Sequence, residues 1–261
     1  MTGMITIKGK GNFSSGHEYF LGPHVPGKKS PGYVAGQEIL AGLRAGVYLS
    51  AARHKFQITD KLWMAGEKGM GSLFLGLRAL DDFSVEQGLD LCPARRGFSL
   101  AWVTLSDKGS KGKRLDESGP LIRDILGSAL ELSLERGFII PDDYCLLKSL
   151  LVHLCLTSGF DLIVTTGGTG LGPRDITPEV AMDIIDKRLP GFEQAMTGYS
   201  LTKTPHAMIS RAVAGTLGQS LLINLPGSPG GVRENLEVVL PALEHALKKL
   251  QGDQTDCASK V

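Results

Sequence analysis

The sequence predicts a two-part chain. A small β-rich unit covers residues 1–95. An α/β unit follows over 96–250, a three-layer arrangement with a mostly parallel sheet and helices on both faces, and residues 251–261 form a frayed polar tail. Three observations lead there. Short apolar runs separated by glycine-proline turns fill the first third. From Phe98 onward, strand-like runs alternate with helical patterns in which apolar residues recur at three and four. The strands of this second part end in polar or glycine-rich loops, and in parallel sheets ligands bind outside the carboxyl ends of the strands.

The chain has 261 residues, 42% of them hydrophobic, which is enough to bury a proper core. A net charge of +1 argues against a dedicated nucleic-acid surface. Cys92, Cys145, Cys155 and Cys257 form no CxxC pair, which predicts free thiols in a reducing compartment rather than a disulfide or zinc framework. The first residues, MTGMITIKGKGNF, carry no apolar signal segment. The apolar stretch Leu146 to Leu156 is interrupted by Lys148 and His153 and is too short to span a bilayer. A cytoplasmic protein without membrane contact is the expectation.

In the first unit, Glu18–Leu21, Glu38–Leu40, Val47–Leu49, Phe56–Thr59 and Ser72–Leu75 read as strands of a small barrel or sandwich. His17, His24, His54 and the glycine-rich run Gly66 to Gly71 are its polar candidates, and each reads more simply as a surface turn or scattered polar residue. Asp81 to Arg96 reads as a linker. In the second unit, Phe98–Leu105 is a central strand, followed by a polar loop from Ser106 to Arg114. A helix is expected from Glu117 to Arg136, stopped by Gly137, then a short strand Phe138–Ile140 and a helix from Asp143 to Ser158, stopped by Gly159. After the strand Leu162–Thr165 and its glycine loop, helices are expected over 177–188 and 192–201, with Pro190-Gly191 as the break. Strands at Ala212–Gly215 and Ser220–Leu225, a second loop from Pro226 to Gly231 and a helix from Val232 to Leu250 complete the unit, with Pro241 as a candidate kink.

The stretch Asp161 to Glu179, DLIVTTGGTGLGPRDITPE, organises the second unit. A buried strand breaks into Gly167-Gly168-Thr169-Gly170-Leu171-Gly172 and re-enters order with Thr177 as N-cap, Pro178 at the first helical position and Glu179 in the first turn. Glycines let a backbone approach an anion closely, and a helix start attracts negative charge. The loop is neither a P-loop, since Gly-Lys-Ser/Thr is missing, nor a dinucleotide fingerprint. Asp175 beside a phosphate-ready loop would repel phosphate unless a cation lay between them, which suggests Mg²⁺.

Thr165-Thr166-Gly167-Gly168-Thr169-Gly170, Arg174-Asp175 and Thr177-Pro178-Glu179 resemble the signature of the molybdenum-cofactor biosynthesis family, which includes molybdopterin adenylyltransferases and the pterin-binding domain of gephyrin. Ser106-Asp107, Pro141-Asp142-Asp143, Pro205-x-Ala207-x-x-Ser210-Arg211 and Asn224-Leu225-Pro226-Gly227-Ser228-Pro229 extend the resemblance over about 98–250. It implies a homotrimer or hexamer that joins molybdopterin to ATP with Mg²⁺, giving adenylylated molybdopterin and pyrophosphate, and a molybdotransferase partner that takes the product. It implies Asp142 and Asp175 as the catalytic acids that hold the metal and the ATP phosphates, with Asp143 as the neighbouring alternative to Asp142. Gly167, Gly168, Thr169 and Gly170 would line the phosphates, Ser106 and Asp107 would bind at the same edge, and Pro226, Gly227 and Ser228 would border the ligand.

Each residue has a plainer reading. Asp142 suits a helix N-cap, Asp175 and Ser228 suit turns, and Arg174 suits either phosphate or a surface ion pair. Glu179 suits its own helix start or the metal. Lys108, Lys111, Lys113 and Arg114 form either a solvated charge run or a guide for an anionic pterin. The competing functions are a catalytically weak pterin-binding module, a scaffold whose residues 1–95 recruit a partner or metal oxyanion, and the same fold acting as a pyrophosphatase on other nucleotides.

Overall fold

The computed structural model describes residues 4–22, 33–35, 40–65 and 71–253, with backbone alone at 33–35, 54 and 65. His24, Glu38-Ile39, the run 66–70 and the tail from 254, with Cys257, lie outside the described residues. The chain divides into two compact units, Met1–Gly97 with Thr157–Gly159, and Phe98–Leu156 with Phe160–Val261.

The first unit is β-rich. Its strands are β1 (Ile5–Lys8), β2 (Gly11–Phe13), β3 (Glu18–Leu21), β4 (Tyr33–Ala35), β5 (Tyr48–Ser50), β6 (His54–Ala65), β7 (Gly71–Ala79), β8 (Phe83–Val85) and β9 (Leu89–Ala94). Seven of them form one sheet in the order β3-β7-β6-β5-β9-β1-β4, and β2 pairs with β8. Ile5, Ile7, Leu49, Phe56, Ile58, Leu75, Leu77 and Leu91 alternate inward from these strands into one core. Phe13 stacks on Phe83, and Phe56 meets both edge-on, with ring centroids 5.0–5.2 Å apart.

Two expectations fail in this unit. The stretch 81–96 is not a linker, because β9 pairs with both β1 and β5 and carries Cys92 and Pro93 inside the sheet. Leu40 is helical rather than extended, and its side chain is buried in the core.

Lys61 stands on the inner side of β6, buried to 4% exposure, and its Nζ donates to the carbonyl of Ala41 at 3.1 Å. Burial, with the Arg44 charge as the next contribution, lowers its pKa to about 8, against the partial opposition of Asp60.

The second unit holds the strands β10 (Phe98–Leu105), β11 (Leu132–Ile140), β12 (Leu162–Thr166), β13 (Lys187–Arg188), β14 (Ala214–Leu217) and β15 (Ser220–Leu225). Its helices are α1 (Ser118–Ala129), α2 (Tyr144–Val152), α3 (Thr177–Ile184), α4 (Pro190–Leu201) and α5 (Pro229–Leu250). A π-helical turn at His153–Ser158 and a 3-10 turn at Pro205–Ile209 complete it. The sheet order is β11-β10-β12-β15-β14-β13. The first four strands run parallel, and β14 and β13 are antiparallel additions at one edge. Leu100, Leu162, Val164, Leu221 and Ile223 of the sheet pack with Ile122 and Leu126 of α1 and with Val232, Leu236, Val239 and Leu243 of α5.

The sequence reading misplaces several boundaries. The expected helix 117–136 ends at Ala129, and residues 132–140 are strand. Leu130, Leu132 and Leu134 lie two apart, so a strand period coexists with the helical one, and pairing with all of β10 decides the outcome. Gly137 therefore stops no helix. It sits opposite Trp102, where an added Cβ would fall 2.4 Å from the indole ring. The helix expected over 143–158 gives way at His153 to the π turn, with Gly159 at φ +73° as its stop. The helix after the glycine loop ends at Ile184 rather than 188, because Lys187 and Arg188 pair with β14. Pro190 begins its helix instead of breaking one, as fits the first helical position. The strand expected at 212–215 begins at Ala214. The last helix starts at Pro229, capped by Ser228, whose hydroxyl accepts from the Gly231 amide at 3.2 Å.

Two tests follow from this packing. Gly137→Ala should cost about 1–3 kcal/mol in urea unfolding of the full-length protein, since a rigid indole cannot yield to a new methyl group without strain; unchanged stability would refute the Trp102 contact. Lys61 gives up its proton near pH 8 when folded and near its ordinary pKa of about 10.4 when unfolded, so the unfolded chain binds more protons between those values. The destabilisation is thus fully present below pH 8 and fades as pH rises above it. Lys61→Met should raise the urea midpoint at pH 7 by clearly more than at pH 10, and an equal gain at both would contradict the buried ammonium.

Candidate active site

The parallel strands β10, β11, β12 and β15 deliver their following loops to one edge of the sheet. These loops start at Ser106, Pro141, Gly167 and Pro226, so Ser106, Asp107, Asp142, Gly167 to Gly170 and Pro226 to Ser228 lie at that edge. The loops are tied to one another. The Gly167 amide donates to the Leu225 carbonyl at 3.2 Å, and the Thr166 hydroxyl donates to the Pro226 carbonyl at 2.7 Å. The Ser118 hydroxyl, at the start of α1, donates to the Gly227 carbonyl at 3.0 Å.

Gly167 shows why the loop is glycine-rich. Its φ is +96°, and a Cβ there would stand 2.7 Å from the Leu105 carbonyl oxygen. Thr177 is not the N-cap of α3, a position taken by Ile176. The Thr177 hydroxyl is buried and donates to the Gly167 carbonyl at 2.9 Å, while its amide donates to the Gly168 carbonyl. The first turn of α3 is thereby anchored to the glycine loop.

Asp142 and Asp143 take different partners. The Asp143 side chain caps α2 by accepting from the Leu146 amide at 2.9 Å. The Asp142 carboxylate turns towards the β10 loop, where Oδ2 accepts from the Asp107 amide at 3.2 Å. Arg174 donates to Asp107 Oδ1 at 2.8 Å and to the Asp142 carbonyl at 3.1 Å. Asp175 Oδ2 accepts from the Gly172 amide at 2.8 Å, and a Cβ on Gly170 or Gly172 would come within 3 Å of that oxygen. Burial, followed by the like charges of Asp107 and Asp175, pushes Asp142 above the usual carboxylate range, against the lowering pull of the Asp107 amide and Arg174.

Other candidates find plainer places. Glu179 pairs with Arg211. The Ser106 hydroxyl accepts from the Gly109 amide at 3.0 Å. Lys108, Lys111, Lys113 and Arg114 are exposed. The His17 ring meets the Ser15 carbonyl from Nδ1 at 3.4 Å. Cys92 and Cys145 are exposed free thiols, and Cys155 is a buried one.

Two cavities flank the Pro226–Ser228 loop. One of about 300 Å³ is lined by Ser106, Arg114, Asp116, Ser118, Thr166 and Ser228. The other, of about 410 Å³, is lined by Thr204, His206, Ser210, Pro226, Ser228 and Asn235, among others. Asp142 and Asp175 line neither; Asp142 stands near Gly168, and Asp175 beside Gly170 and Gly172. Asp116 was missed by the sequence reading, since it lies in a polar loop with no distinguishing spacing. Its Oδ2 accepts from the Thr104 hydroxyl at 2.8 Å and its Oδ1 from the Gly119 amide at 3.0 Å, so it fixes the start of α1. Arg211 was visible only as a member of the Pro205 to Arg211 motif, with no role attached.

The family described as a probable molybdopterin binding domain matches residues 101–245. The chain is 41% identical over 152 residues to a molybdopterin adenylyltransferase of Helicobacter pylori (strain J99), spanning 58% of this chain and 86% of that protein. It is 40% identical to gephyrin of Dictyostelium discoideum over 56% of this chain and 21% of that protein. Among solved structures, the molybdopterin biosynthesis enzyme MoaB of Thermus thermophilus superposes with a TM-score of 0.55 at 43% identity, covering 60% of this chain and 98% of that one. A tungsten cofactor synthesizing protein MoaB from Pyrococcus furiosus superposes at 0.53 and 36% identity, covering 60% and 99%.

A raised Asp142 pKa has a direct test. The carboxyl should titrate by NMR above an ordinary aspartate, losing its proton late as pH rises. Arg174→Ala, by removing a lowering charge, should move it further up. A value at or below the ordinary one in the wild type, or a downward shift in the variant, would contradict the arrangement.

Proposed function

This chain belongs to the family of probable molybdopterin binding domains, and from that premise we propose that its second unit transfers AMP from ATP to the terminal phosphate of molybdopterin. The observation that carries the reading is the convergence of Asp142 and Asp175 on a glycine loop at the carboxyl edge of a parallel sheet. Relatives named molybdopterin adenylyltransferase at 37–41% identity support it.

The nucleophile is a phosphate oxygen of molybdopterin, already ionised at neutral pH, so no side-chain base is required. It forms a bond to the α-phosphorus of ATP as the bond to the bridging oxygen breaks, and pyrophosphate leaves with the electron pair. Positioning and charge neutralisation then provide most of the catalysis. Mg²⁺ supplies that neutralisation when bound. The residues fit it: Asp142 and Asp175 are hard oxygen donors, and the crowding of Asp107, Asp142 and Asp175 is the kind that a cation relieves. Among the described residues no group of three or more His, Cys, Asp or Glu is arranged to hold a metal. Asp142 and Asp175 would hold the cation by two carboxylates, and substrate phosphate and water would supply its other oxygens, as is usual for Mg²⁺. The backbone of Gly167, Gly168, Thr169 and Gly170 lies against the nucleotide phosphates in this reading. Ser106 and Asp107 hold the near side of the site, with Arg174 balancing charge, and Pro226, Gly227 and Ser228 border the pterin.

The three-layer arrangement is supported by side chains pointing both ways from the sheet. Leu100, Leu162 and Val164 face α1 and α5, while the intervening Ala101, Val103 and Ile163 are equally buried. We assign residues 1–95 as an extension of unassigned role. Assembly as a homotrimer or hexamer is favoured by the exposed Leu146, Leu156 and Met182, apolar side chains that a subunit interface would cover. Free thiols favour the cytoplasm. No helix among the described residues is long and apolar enough to cross a membrane. A molybdotransferase partner would take the adenylylated product.

Purified full-length protein given ATP, Mg²⁺ and molybdopterin should yield adenylylated pterin with matching pyrophosphate. Asp175→Asn should lower that yield by about 100-fold or more while pterin affinity stays within a few-fold. Normal turnover by the variant would remove Asp175 from the chemistry. Activity surviving excess chelator would remove the cation. Pterin binding without product would favour the binding-module reading instead.

A further inference from the structure

The geometry points to Arg211 as the positioning residue that fixes the Gly170–Asp175 loop and, through it, the Asp175 carboxylate. The inference rests on the reading of Asp175 as the cation-holding group of the transferase. Residues 171–174 are exposed, with Leu171 at 67%, so core packing does not hold the tip of this loop. Arg211 holds both of its ends. Its own amide donates to the Thr169 carbonyl at 3.0 Å, and its Nε donates to the Gly170 carbonyl at 2.8 Å, both where the loop leaves. One guanidinium NH₂ group donates to the Asp175 carbonyl at 2.9 Å, where the loop returns, and the other pairs with Glu179 in the first turn of α3.

One planar fork thus spans the loop and binds the helix that follows it. The loop's internal closure, from the Asp175 amide to the Gly172 carbonyl and from the Gly172 amide to Asp175 Oδ2, orients the carboxylate within the loop but ties it to nothing outside. Arg174 ties the exposed tip to Asp107 and to the Asp142 carbonyl, and Arg211 ties the two ends. The Arg211 backbone is secured by the chain on either side. The 3-10 turn Pro205–Ile209 precedes it, and the buried Val213 after it accepts at its carbonyl from the Asn224 amide at 2.9 Å. Burial alone would raise the Glu179 pKa, but its hydrogen bond and charge pairing with Arg211 bring it below the usual range. The ion pair is a second function of the same side chain, and the fork to two carbonyls is the part that lysine cannot reproduce.

The test uses full-length wild type, Arg211→Ala, Arg211→Lys and Glu179→Gln. It measures amide hydrogen exchange over 168–176, Mg²⁺-dependent ATP binding, and the Mg²⁺ dependence of turnover. Both Arg211 variants should exchange faster across this loop than elsewhere in the second unit. Both should raise the half-saturating Mg²⁺ concentration by about 10–100-fold, the usual effect of losing a group that orients a metal ligand, with pterin affinity within about twofold. Glu179→Gln, which keeps the fork, should change half-saturation by less than about threefold. Equal losses in Glu179→Gln would overturn the assignment in favour of charge alone. A fall in kcat with unchanged Mg²⁺ dependence and unchanged loop exchange would overturn it in favour of a general folding defect. Should the wild type bind Mg²⁺ and ATP but make no product, the transferase reading fails while binding and exchange still decide the role of Arg211. Should it do neither, exchange alone decides whether the residue clamps the loop.

Discussion

The parallel pairing of β11, β10, β12 and β15 is the constraint on which the site depends. Leu105 is level with Ile140, Thr104 with Thr166, and Thr166 with Leu225. The strands therefore finish together, and Ser106, Pro141, Gly167 and Pro226 begin their loops side by side. A slip of one residue in any pair would turn its side chains to the opposite face and displace its loop by a strand step. The large apolar contribution of α1 and α5 against one face of this sheet makes such a slip costly. The core thus fixes the site at a distance: residues that touch no ligand determine where the ligand-facing residues start.

On that base, three carboxylates are brought together and balanced in two different ways. Arg174 meets Asp107 directly, charge against charge, at the exposed surface. Arg211 instead binds the carbonyls of Gly170 and Asp175, which holds geometry without neutralising the Asp175 carboxylate. The remaining negative charge is evident at Asp142, where burial and its acidic neighbours disfavour ionisation. Like charges held this close disfavour one another's ionised forms, and Arg174 offsets that only in part.

Much of this was legible in the sequence because the signals were local. A strand, a run of glycines and a Thr-Pro-Glu helix start define the Gly167 loop without any neighbour, and the second loop at Pro226 reads the same way. What failed was set by distant partners. Residues 132–136 fit a helix by spacing, but the whole length of β10 recruits them as a strand. Gly137 looked like a stop signal because the indole of Trp102, 35 positions earlier in the chain, cannot be seen in a local window. Thr177 has the composition of an N-cap, yet its hydroxyl is claimed by Gly167 across the loop. Arg211 and Asp116 carry no periodicity at all; the partners of Arg211 lie far along the chain, and Asp116 joins the adjacent start of α1 to Thr104 on β10. In the first unit Cys92-Pro93 hides the alternation of β9 by resembling punctuation, although that strand lies between two others.

The position of Ser228 gives the two cavities a common meaning. Both are bounded by the Pro226–Ser228 loop, and Ser228 lines each of them. Its hydroxyl is engaged as the cap of α5, so the loop is held in place by the longest helix of the unit. The loop is also held from the other side, by Thr166 and Ser118, and a Cβ on Gly227 would approach the Gly167 backbone at 3.3 Å. The loop thus stands at the boundary of both cavities and is held from either side. The shape of each cavity therefore depends on the same few hydrogen bonds, and loosening the loop at Thr166, Ser118 or Ser228 would alter both at once.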